Sequence, residues 1–330
     1  MTMVQEIAVP PLTATPTPMR AAEPAAHYGR LFIALTAVLL VAPFAVYPMF
    51  LMTLLCFALF ACAFNLLLGY GGLLSFGHAA YFGMGAYITG YAAKSWGLGP
   101  ELTVPLGALT GAGLGLVFGA LAIRRQGIYF SMITLALAQM VFFFCLQAAF
   151  THGEDGIQGI PRGHLFGLVD LSDDRVLYYV VLALFMAGLL GIFRIIHSPF
   201  GQVLKAIREN EPRAISLGYN AARYKLAVFV ISSAIAGAAG GMKALVFQLA
   251  TLTDVHWTMS GEVVLMTLVG GMGTVFGPIV GAAVIITMQN YLAHLGAWVT
   301  VVQGAIFVAC VLLFREGIVG VIGRCLRWRL

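Results

Sequence analysis

Long apolar runs alternate with short polar stretches along this chain. A helix needs about 20 apolar residues to cross about 30 Å of hydrocarbon. The runs of that length lie at 31–48, 49–68, 73–93, 102–123, 128–150, 176–196 and 224–247. A region interrupted by glycines follows at 260–293, and a last run lies near 299–314. The pattern predicts an all-α polytopic membrane protein with about 8–10 transmembrane helices.

The composition supports this class. Apolar residues make up 61% of the chain, charged residues only 9%, and the mean hydropathy is +0.95, whereas soluble domains are about 25% charged. Residues 1–30 contain five prolines and no apolar core of a cleaved signal peptide. We therefore expect a flexible tail at 1–30, a membrane domain at 31–314 and a second tail at 315–330. Five cysteines without paired spacing predict free, buried thiols and no metal site: Cys56, Cys62, Cys145, Cys310 and Cys325.

Basic residues fall mostly on one side of the membrane when the predicted spans are alternated. Fourteen of the 18 Lys and Arg residues share this side, in the tails, in the turn near 124 and in the segment 194–225. The opposite side holds most of the acidic residues. Because Lys and Arg favour cytoplasmic loops, both termini and the segment 194–225 are predicted to be cytoplasmic. The number of crossings is then even, so the region after residue 248 crosses once or three times.

The polar segment 197–225 is too highly charged to lie in lipid, since it carries seven of the 31 formal charges. Ser198 suits a helix N-cap and Pro199 the first helical position. Pro212 is expected to end this first helix, and a second short helix over 213–217 would stop at Gly218. Such a helix pair could dock a partner. A solvated linker, or an amphipathic segment resting on anionic lipid, is the alternative.

Glycines interrupt two apolar segments, 69–85 and 261–281. Broken helices expose backbone groups that must line a cavity or face protein, so both segments are candidates for a transport pathway. Close helix packing explains the same glycines equally well. Polar residues in apolar spans are costly, and those considered for the pathway are Ser75, His78, Gln139 and Glu262.

Each of these polar residues also has a structural interpretation. His78 would bond to a neighbouring helix, and Glu262 would sit at a helix N-terminus after Ser260 or at the membrane surface. Ser75 and Gln139 would make packing bonds. Lys243 is predicted to extend its ammonium group to the membrane surface.

Five motifs in order along the chain resemble the branched-chain amino acid permease family of ABC importers, in its larger permease subunit. They cover roughly residues 31 to 320. They read NLLLGYGGLLSFGHAAYFGMGAY from Asn65, TLALAQ from Thr134, GEDGIQGIP from Gly153 and GQVLKAIRENEPRAISLG from Gly201. The fifth motif has two parts, SGE from Ser260 and GGMGTVFGP from Gly270. Lys243 departs from the family, which usually has a neutral residue there.

The resemblance implies a division of labour between subunits. It implies a second homologous permease, two cytoplasmic ATP-binding subunits and a periplasmic solute-binding protein in a bacterial inner membrane, without nucleic acid. No Lys directly follows a Gly, so the chain lacks a P-loop; we expect no bound cofactor, no enzymatic activity and ATP use only by partners. The resemblance assigns an ATPase-coupling loop to Gly201, Ala206, Arg208, Glu209, Asn210, Glu211, Ala214, Leu217 and Gly218.

The expected function is inward transport of branched-chain or other hydrophobic amino acids by alternating access. The alternatives are a related permease for urea or short amides, a secondary transporter or channel, and, last, an intramembrane enzyme built on Ser75 and His78. The loop 151–175 is predicted to lie outside the membrane. Its acidic residues Glu154 and Asp155 would contact the binding protein, or the loop would instead seal the outer end of the pathway.

Overall fold

A computed structural model describes residues 25–167 and 169–292, with isolated residues between 301 and 320. Residues 1–24 of the tail predicted at 1–30 lie outside the described residues, as do most of the run at 299–314 and most of the tail at 315–330. Helix α1, Ala25–Val41, forms a compact unit of its own, and a second unit begins at Ala42.

The second unit is built from helices. They are α2 (Pro48–Asn65), α3 (His78–Ser95), α4 (Pro100–Ala122), α5 (Ile128–Gln147), α6 (Asp174–His197), α7 (Pro199–Glu209), α8 (Glu211–Ser216), α9 (Ala221–Phe247), α10 (Trp257–Gly270) and α11 (Gly277–Leu292). A π-helical segment, Leu66–Tyr70, continues α2. Short 3₁₀ turns lie at Ala42–Phe44, Ala149–Thr151, Gly153–Asp155 and Leu252–Asp254.

Within the described residues, five helices are long and apolar enough to cross a membrane. These are Pro48–Tyr70, Pro100–Ala122, Ile128–Gln147, Asp174–His197 and Ala221–Phe247. The prediction of an all-α polytopic membrane protein is confirmed. The prediction of free, buried thiols is also confirmed for Cys56, Cys62 and Cys145.

Helix α3 differs from the span predicted at 73–93, because it begins only at His78. Most of its side chains are buried, including those of two tyrosines, Tyr81 and Tyr87. A helix that is surrounded by other helices does not contact lipid, so its side chains need not all be apolar. This explains why α3 is less apolar than the helices around it.

Glycines bring α3, α4 and α9 into close contact. A Cβ atom at Gly85 would collide with the carbonyl oxygen of Gly237, and one at Gly240 with that of Phe82. Gly111 of α4 packs in the same way against the carbonyl of Ser233. Small residues let helix backbones approach each other in a membrane, so the packing interpretation holds for these glycines.

Two connections at one end of the helices pair with each other. Strand β1 (Ile157–Gln158) pairs antiparallel with β4 (Leu249–Ala250) in the α9–α10 connection, while β2 (His164–Leu165) and β3 (Val169–Asp170) form a hairpin. The connections then run along α3: Ile160 packs on Gly90 and Val255 packs on Gly83. The loop predicted at 151–175 therefore covers the end of α3.

Helices α10 and α11 form a tight pair of short helices. They contain 14 and 16 residues, or about 21 and 24 Å at 1.5 Å per residue. Gly281 packs directly on the carbonyl of Met266, and Gly270 on that of Gly277. The region predicted at 260–293 is thus a broken helical hairpin, and α10 alone is shorter than about 30 Å of hydrocarbon.

Candidate functional site

The polar segment folds into the two predicted short helices, α7 and α8, here called the helix pair. Ser198 Oγ accepts a hydrogen bond from Gly201 N at 3.4 Å, and Asn210 Oδ1 accepts one from Arg213 N at 3.0 Å. Gly218 has a φ of +89°, the left-handed conformation that glycine tolerates. The second helix begins at Glu211, two residues before the predicted start, because Asn210 caps it and Pro212 fits its first turn.

The helix pair packs on α9 through a small apolar cluster. Ile207 of α7, Ala214 of α8 and Ala221 of α9 are buried together, with Val203 and Tyr224 packed around them. The face of α7 that carries Val203 and Ile207 therefore packs against α9.

Charged contacts fix the start of α8. Glu211 forms an ion pair with Lys225 of α9 at 2.7 Å, and both side chains are largely shielded from solvent. Gln126, in the α4–α5 turn, also donates to the Glu211 carboxylate at 2.9 Å. The helix pair is thus tied to two different parts of the second unit.

Much of the predicted coupling loop faces outward. Ala206, Glu209 and Asn210 are exposed, and so is Leu217, of which 70% is accessible. Ile215 adds a second exposed aliphatic side chain on α8. Gly201 has a structural role instead, since a Cβ there would collide with carbonyls at the end of α6.

Arg208 is also exposed, but its guanidinium reaches the first glycine-rich break, residues 66–77. Its guanidinium donates to the carbonyl oxygen of Gly69 in the π-helical segment. Its aliphatic stem lies against Gly72, where a Cβ atom would be 3.0 Å from Arg208 Cγ and φ is +69°. One turn earlier on α7, the Lys205 ammonium lies 5.5 Å from the ring centre of Tyr70.

The first break meets the second break, residues 271–276, through Asn65. The Asn65 side chain accepts from Gly273 N at 2.9 Å and donates to the Thr274 carbonyl at 2.8 Å. Gly69 lies so close to Asn65 Oδ1 and Gly273 N that a Cβ does not fit. The two glycine-rich segments are therefore in direct contact.

Small polar side chains satisfy the irregular backbone of the first break. Ser131 Oγ of α5 donates to the Leu74 carbonyl at 2.7 Å, and Thr134 Oγ1 accepts from Phe76 N at 3.2 Å. Ser75 Oγ accepts from Gly77 N at 3.2 Å. Non-helical backbone is tolerated at membrane depth only when its polar groups find such partners, so Ser75 serves the local backbone here.

His78 joins three helices at the start of α3. Its Nε2 lies 2.9 Å from Ser232 Oγ of α9, and the Ser232 hydroxyl donates to the Ala63 carbonyl of α2 at 2.5 Å. Because a hydroxyl has one proton, His78 Nε2 is the donor to Ser232. The Nδ1 atom is buried and has no partner among the described residues. His78 thus bonds to a neighbouring helix, through a hydroxyl and not a carbonyl.

The other two pathway candidates in helices lie on α5 and α10. Gln139 is half-buried on α5, and its buried Oε1 has no partner in the described part of the chain. Glu262 is half-buried in α10, with its carboxylate beside the Gln289 side chain of α11. No hydrogen bond joins any two of Ser75, His78, Gln139 and Glu262 in the ranges described.

Comparison with known proteins identifies the family. Residues 46–311 match the model of the family described as the permease component of the branched-chain amino acid transport system. The chain belongs to this family. No solved structure matches the permease.

Three similar relatives are named as branched-chain amino acid transport permeases. The permease is 28% identical over 277 residues to the high-affinity branched-chain amino acid transport system permease protein LivM of Salmonella typhimurium, and equally to that of Escherichia coli. These matches cover 77% of this permease and 65% of each relative's length. The probable LivM of Methanocaldococcus jannaschii is 28% identical over 275 residues, covering 70% of this permease and 77% of the relative.

Lys243 of the permease is buried, and the prediction that it reaches the membrane surface is wrong. It is 8% exposed, and its ammonium lies 2.7 Å from Asp254 Oδ2. The same Asp254 oxygen accepts from the Thr251 N–H and hydroxyl, each at 3.1 Å. The α9–α10 connection folds back against α3 and brings the carboxylate to Lys243, so the charge is paired inside the protein.

The remaining predicted contacts, Glu154 and Asp155, are exposed in the 3₁₀ turn that precedes β1. Residues that hold the first break, the start of α3 and the second break in place were missed as site residues from the sequence, although they share a recognisable feature: each is a small polar residue in an apolar run. They are Asn65, Ser131, Thr134, Ser232 and Ser260, the last of which accepts from Ala79 N at 2.9 Å.

Proposed function

We propose that this permease is the membrane subunit of an ABC importer that carries branched-chain or other hydrophobic amino acids into a bacterial cell. The helix pair is the observation that supports this proposal. It presents exposed side chains to solvent while its other face is fixed to the membrane helices. Such an element can accept a force from outside the bilayer and pass it on.

The helix pair offers a docking face of suitable chemistry for an ATP-binding subunit. Ile215 and Leu217 are 55% and 70% exposed, and the acidic and basic side chains of Glu209 and Arg213 lie near them in sequence. Exposed aliphatic anchors with a polar rim are typical of protein interfaces. ATP is bound and hydrolysed by two such subunits, and the permease itself contributes no catalytic group.

The proposed assembly has further members on the other face. A second, homologous permease completes the membrane part, and a periplasmic solute-binding protein delivers the amino acid. Glu154 and Asp155, both exposed, are suited to contact basic groups of the binding protein. Both termini and the helix pair lie in the cytoplasm, and alternating access exposes the pathway to each side in turn. Within that pathway, Gln139 has a side-chain carbonyl oxygen that is buried without a partner among the described residues.

Docking can be tested with Leu217→Asp. An acidic group in an apolar interface leaves a desolvated charge without a partner, so co-purification of the ATP-binding subunits should fall at least tenfold. The thermal stability of the solubilised permease should not change, because Leu217 is exposed. Val169→Asp, a similar change in the exposed hairpin β2–β3, is the control and should retain the ATP-binding subunits. Undiminished co-purification by the Leu217 variant would exclude the helix pair as the docking site.

The cargo can be tested by uptake into cells that lack this chain. Restored expression should recover uptake of radiolabelled leucine and leave urea uptake unchanged. Recovery of urea uptake alone would favour the urea and amide permeases. Leucine uptake that persists without the ATP-binding subunits would instead indicate a secondary transporter.

A further inference from the structure

Arg208 differs from its neighbours in the helix pair because it contacts the membrane helices through a backbone carbonyl. Its guanidinium donates to Gly69 O, and its stem packs on Gly72. The carbonyl groups at the end of a helix lack the N–H donors of a following turn. A cation is also favoured at this end of a helix by the alignment of the peptide dipoles. Arg208 therefore completes the C-terminus of α2.

The carbonyl that Arg208 contacts belongs to an unusual element. Leu66–Tyr70 is π-helical, with Gly71 N donating to Leu66 O at 3.3 Å. Such turns are rare and are concentrated at functional positions. Beyond it the chain leaves the helix altogether and runs irregularly to His78. The contact is thus made where α2 is least constrained by its own hydrogen bonds.

The same carbonyl lies next to the second break. A Cβ atom placed on Gly273 would lie 3.6 Å from Gly69 O and 3.7 Å from Nη1 of the Arg208 guanidinium. Asn65, one turn before Gly69, holds Gly273 and Thr274 by two hydrogen bonds. A displacement of α7 transmitted through Arg208 would therefore reach both breaks.

We infer that Arg208 is a positioning residue that couples movement of the helix pair to the two glycine-rich breaks. The inference rests on the proposed function and adds to it the route by which the movement enters the membrane helices. Although Arg208 is partly exposed, its role in this inference is its contact with Gly69 and not the binding of the ATP-binding subunits. Its loss should separate ATP hydrolysis from transport while assembly stays intact.

The test uses the complete importer in proteoliposomes and measures leucine transported per ATP hydrolysed. Arg208→Gln should lower this ratio at least tenfold, with co-purification of the ATP-binding subunits within twofold of the wild type. Arg208→Lys keeps the charge and one donor, so it should recover part of the ratio. Arg194→Gln removes an exposed arginine at the end of α6 on the same side and should leave the ratio unchanged.

Two results would overturn the inference and leave the proposed function standing. One is an unchanged ratio in Arg208→Gln, and the other is loss of the ATP-binding subunits, which would place Arg208 in the docking face. If Arg208→Gln fails to accumulate, Arg208→Lys and Asn65→Ser decide the matter: both should lower the ratio with assembly retained, and an unchanged ratio in both contradicts the coupling. A wild-type importer without ATP-dependent leucine uptake would instead overturn the proposed function, and the inference with it.

A double-mutant cycle tests whether Asn65 lies on the same route. If Arg208 and Asn65 act in one chain of contacts, the effects of Arg208→Lys and Asn65→Ser on the ratio should not multiply in the double variant. Independent, multiplying effects would show that Arg208 does not act through the contact between the breaks.

Discussion

Paired side chains stabilise the interior of the permease where single charges could not. Lys243 and Asp254 illustrate this, because both are buried and their charged atoms are 2.7 Å apart. Removing one partner of such a pair leaves a desolvated charge, which costs about 3–5 kcal/mol, whereas removing both is often close to neutral. The pair also holds the α9–α10 connection, since Asp254 accepts two hydrogen bonds from Thr251.

We expect Lys243→Met to lower the melting temperature of the solubilised permease strongly, because Asp254 remains buried as a carboxylate. The double variant Lys243→Met with Asp254→Asn should recover a large part of the loss, since no charge is then left unpaired. Lys94→Met is a suitable control, because that lysine is exposed. Thermal unfolding in detergent measures all three. Equal losses in the single and double variants would contradict the role given to the pair.

Local features were predictable from the sequence at the residues where the cause is local. The caps of α7 and the end of α8 at Gly218 depend only on neighbouring residues, and both were predicted. The partners of Asn65 and Arg208 were not, because they lie 209 and 139 residues away. Asp254 follows Lys243 by only 11 residues, yet a turn in the connection must form before the two meet.

Helix contacts in the second unit depend on glycine at specific faces. Gly240 of α9 packs directly on the carbonyl of Phe82, and this backbone cannot move aside as a flexible side chain could. Gly113 of α4 has no atom within 4 Å of its Cβ position. Both glycines lie within helices, so replacing either by alanine changes helix propensity in the same way. Only the change at Gly240 also alters the packing between helices.

We expect Gly240→Ala to destabilise the permease by about 1–3 kcal/mol, because the added methyl group overpacks the α3–α9 contact. Gly113→Ala should be neutral or slightly stabilising, since alanine is the better helix former. Thermal unfolding of the purified variants measures both effects. A Gly240 variant as stable as the wild type would mean that α3 and α9 can separate at little cost.

The positions of the five long apolar helices in the described residues followed from hydropathy, but the start of α3 and the α10–α11 hairpin did not. Hydropathy reports the surface offered to lipid, and α3 offers little. The hairpin depends on contacts between glycines in two helices, such as Gly270 with Gly277. A sequence shows these glycines without showing which of them meet.

The helix pair and the loop carrying Glu154 lie at opposite ends of α6, which joins them over 24 residues, or about 36 Å. This separation fits one connection on each side of a membrane about 30 Å thick. The excess of Lys and Arg at the helix-pair end predicts that this end is cytoplasmic.

The orientation can be measured with single cysteines in a variant whose natural cysteines are replaced by alanine. Ser216→Cys in α8 should react with a membrane-impermeant maleimide only after the cells are opened. Glu154→Cys should react in intact spheroplasts. Both positions are exposed, so access and not burial decides the labelling. The reverse pattern would place the helix pair outside the cell.

The π-helical segment Leu66–Tyr70 also has a consequence for the spacing of the chain. A π-turn holds one residue more than the hydrogen-bonded turn of an α-helix, so α2 carries a surplus residue just before its end. Deleting one residue there would allow an uninterrupted α-helix, in which each residue is rotated by about 100° from the last. The carbonyl of Gly69 would then face another side of α2. The surplus residue thus sets the direction in which this helix end faces.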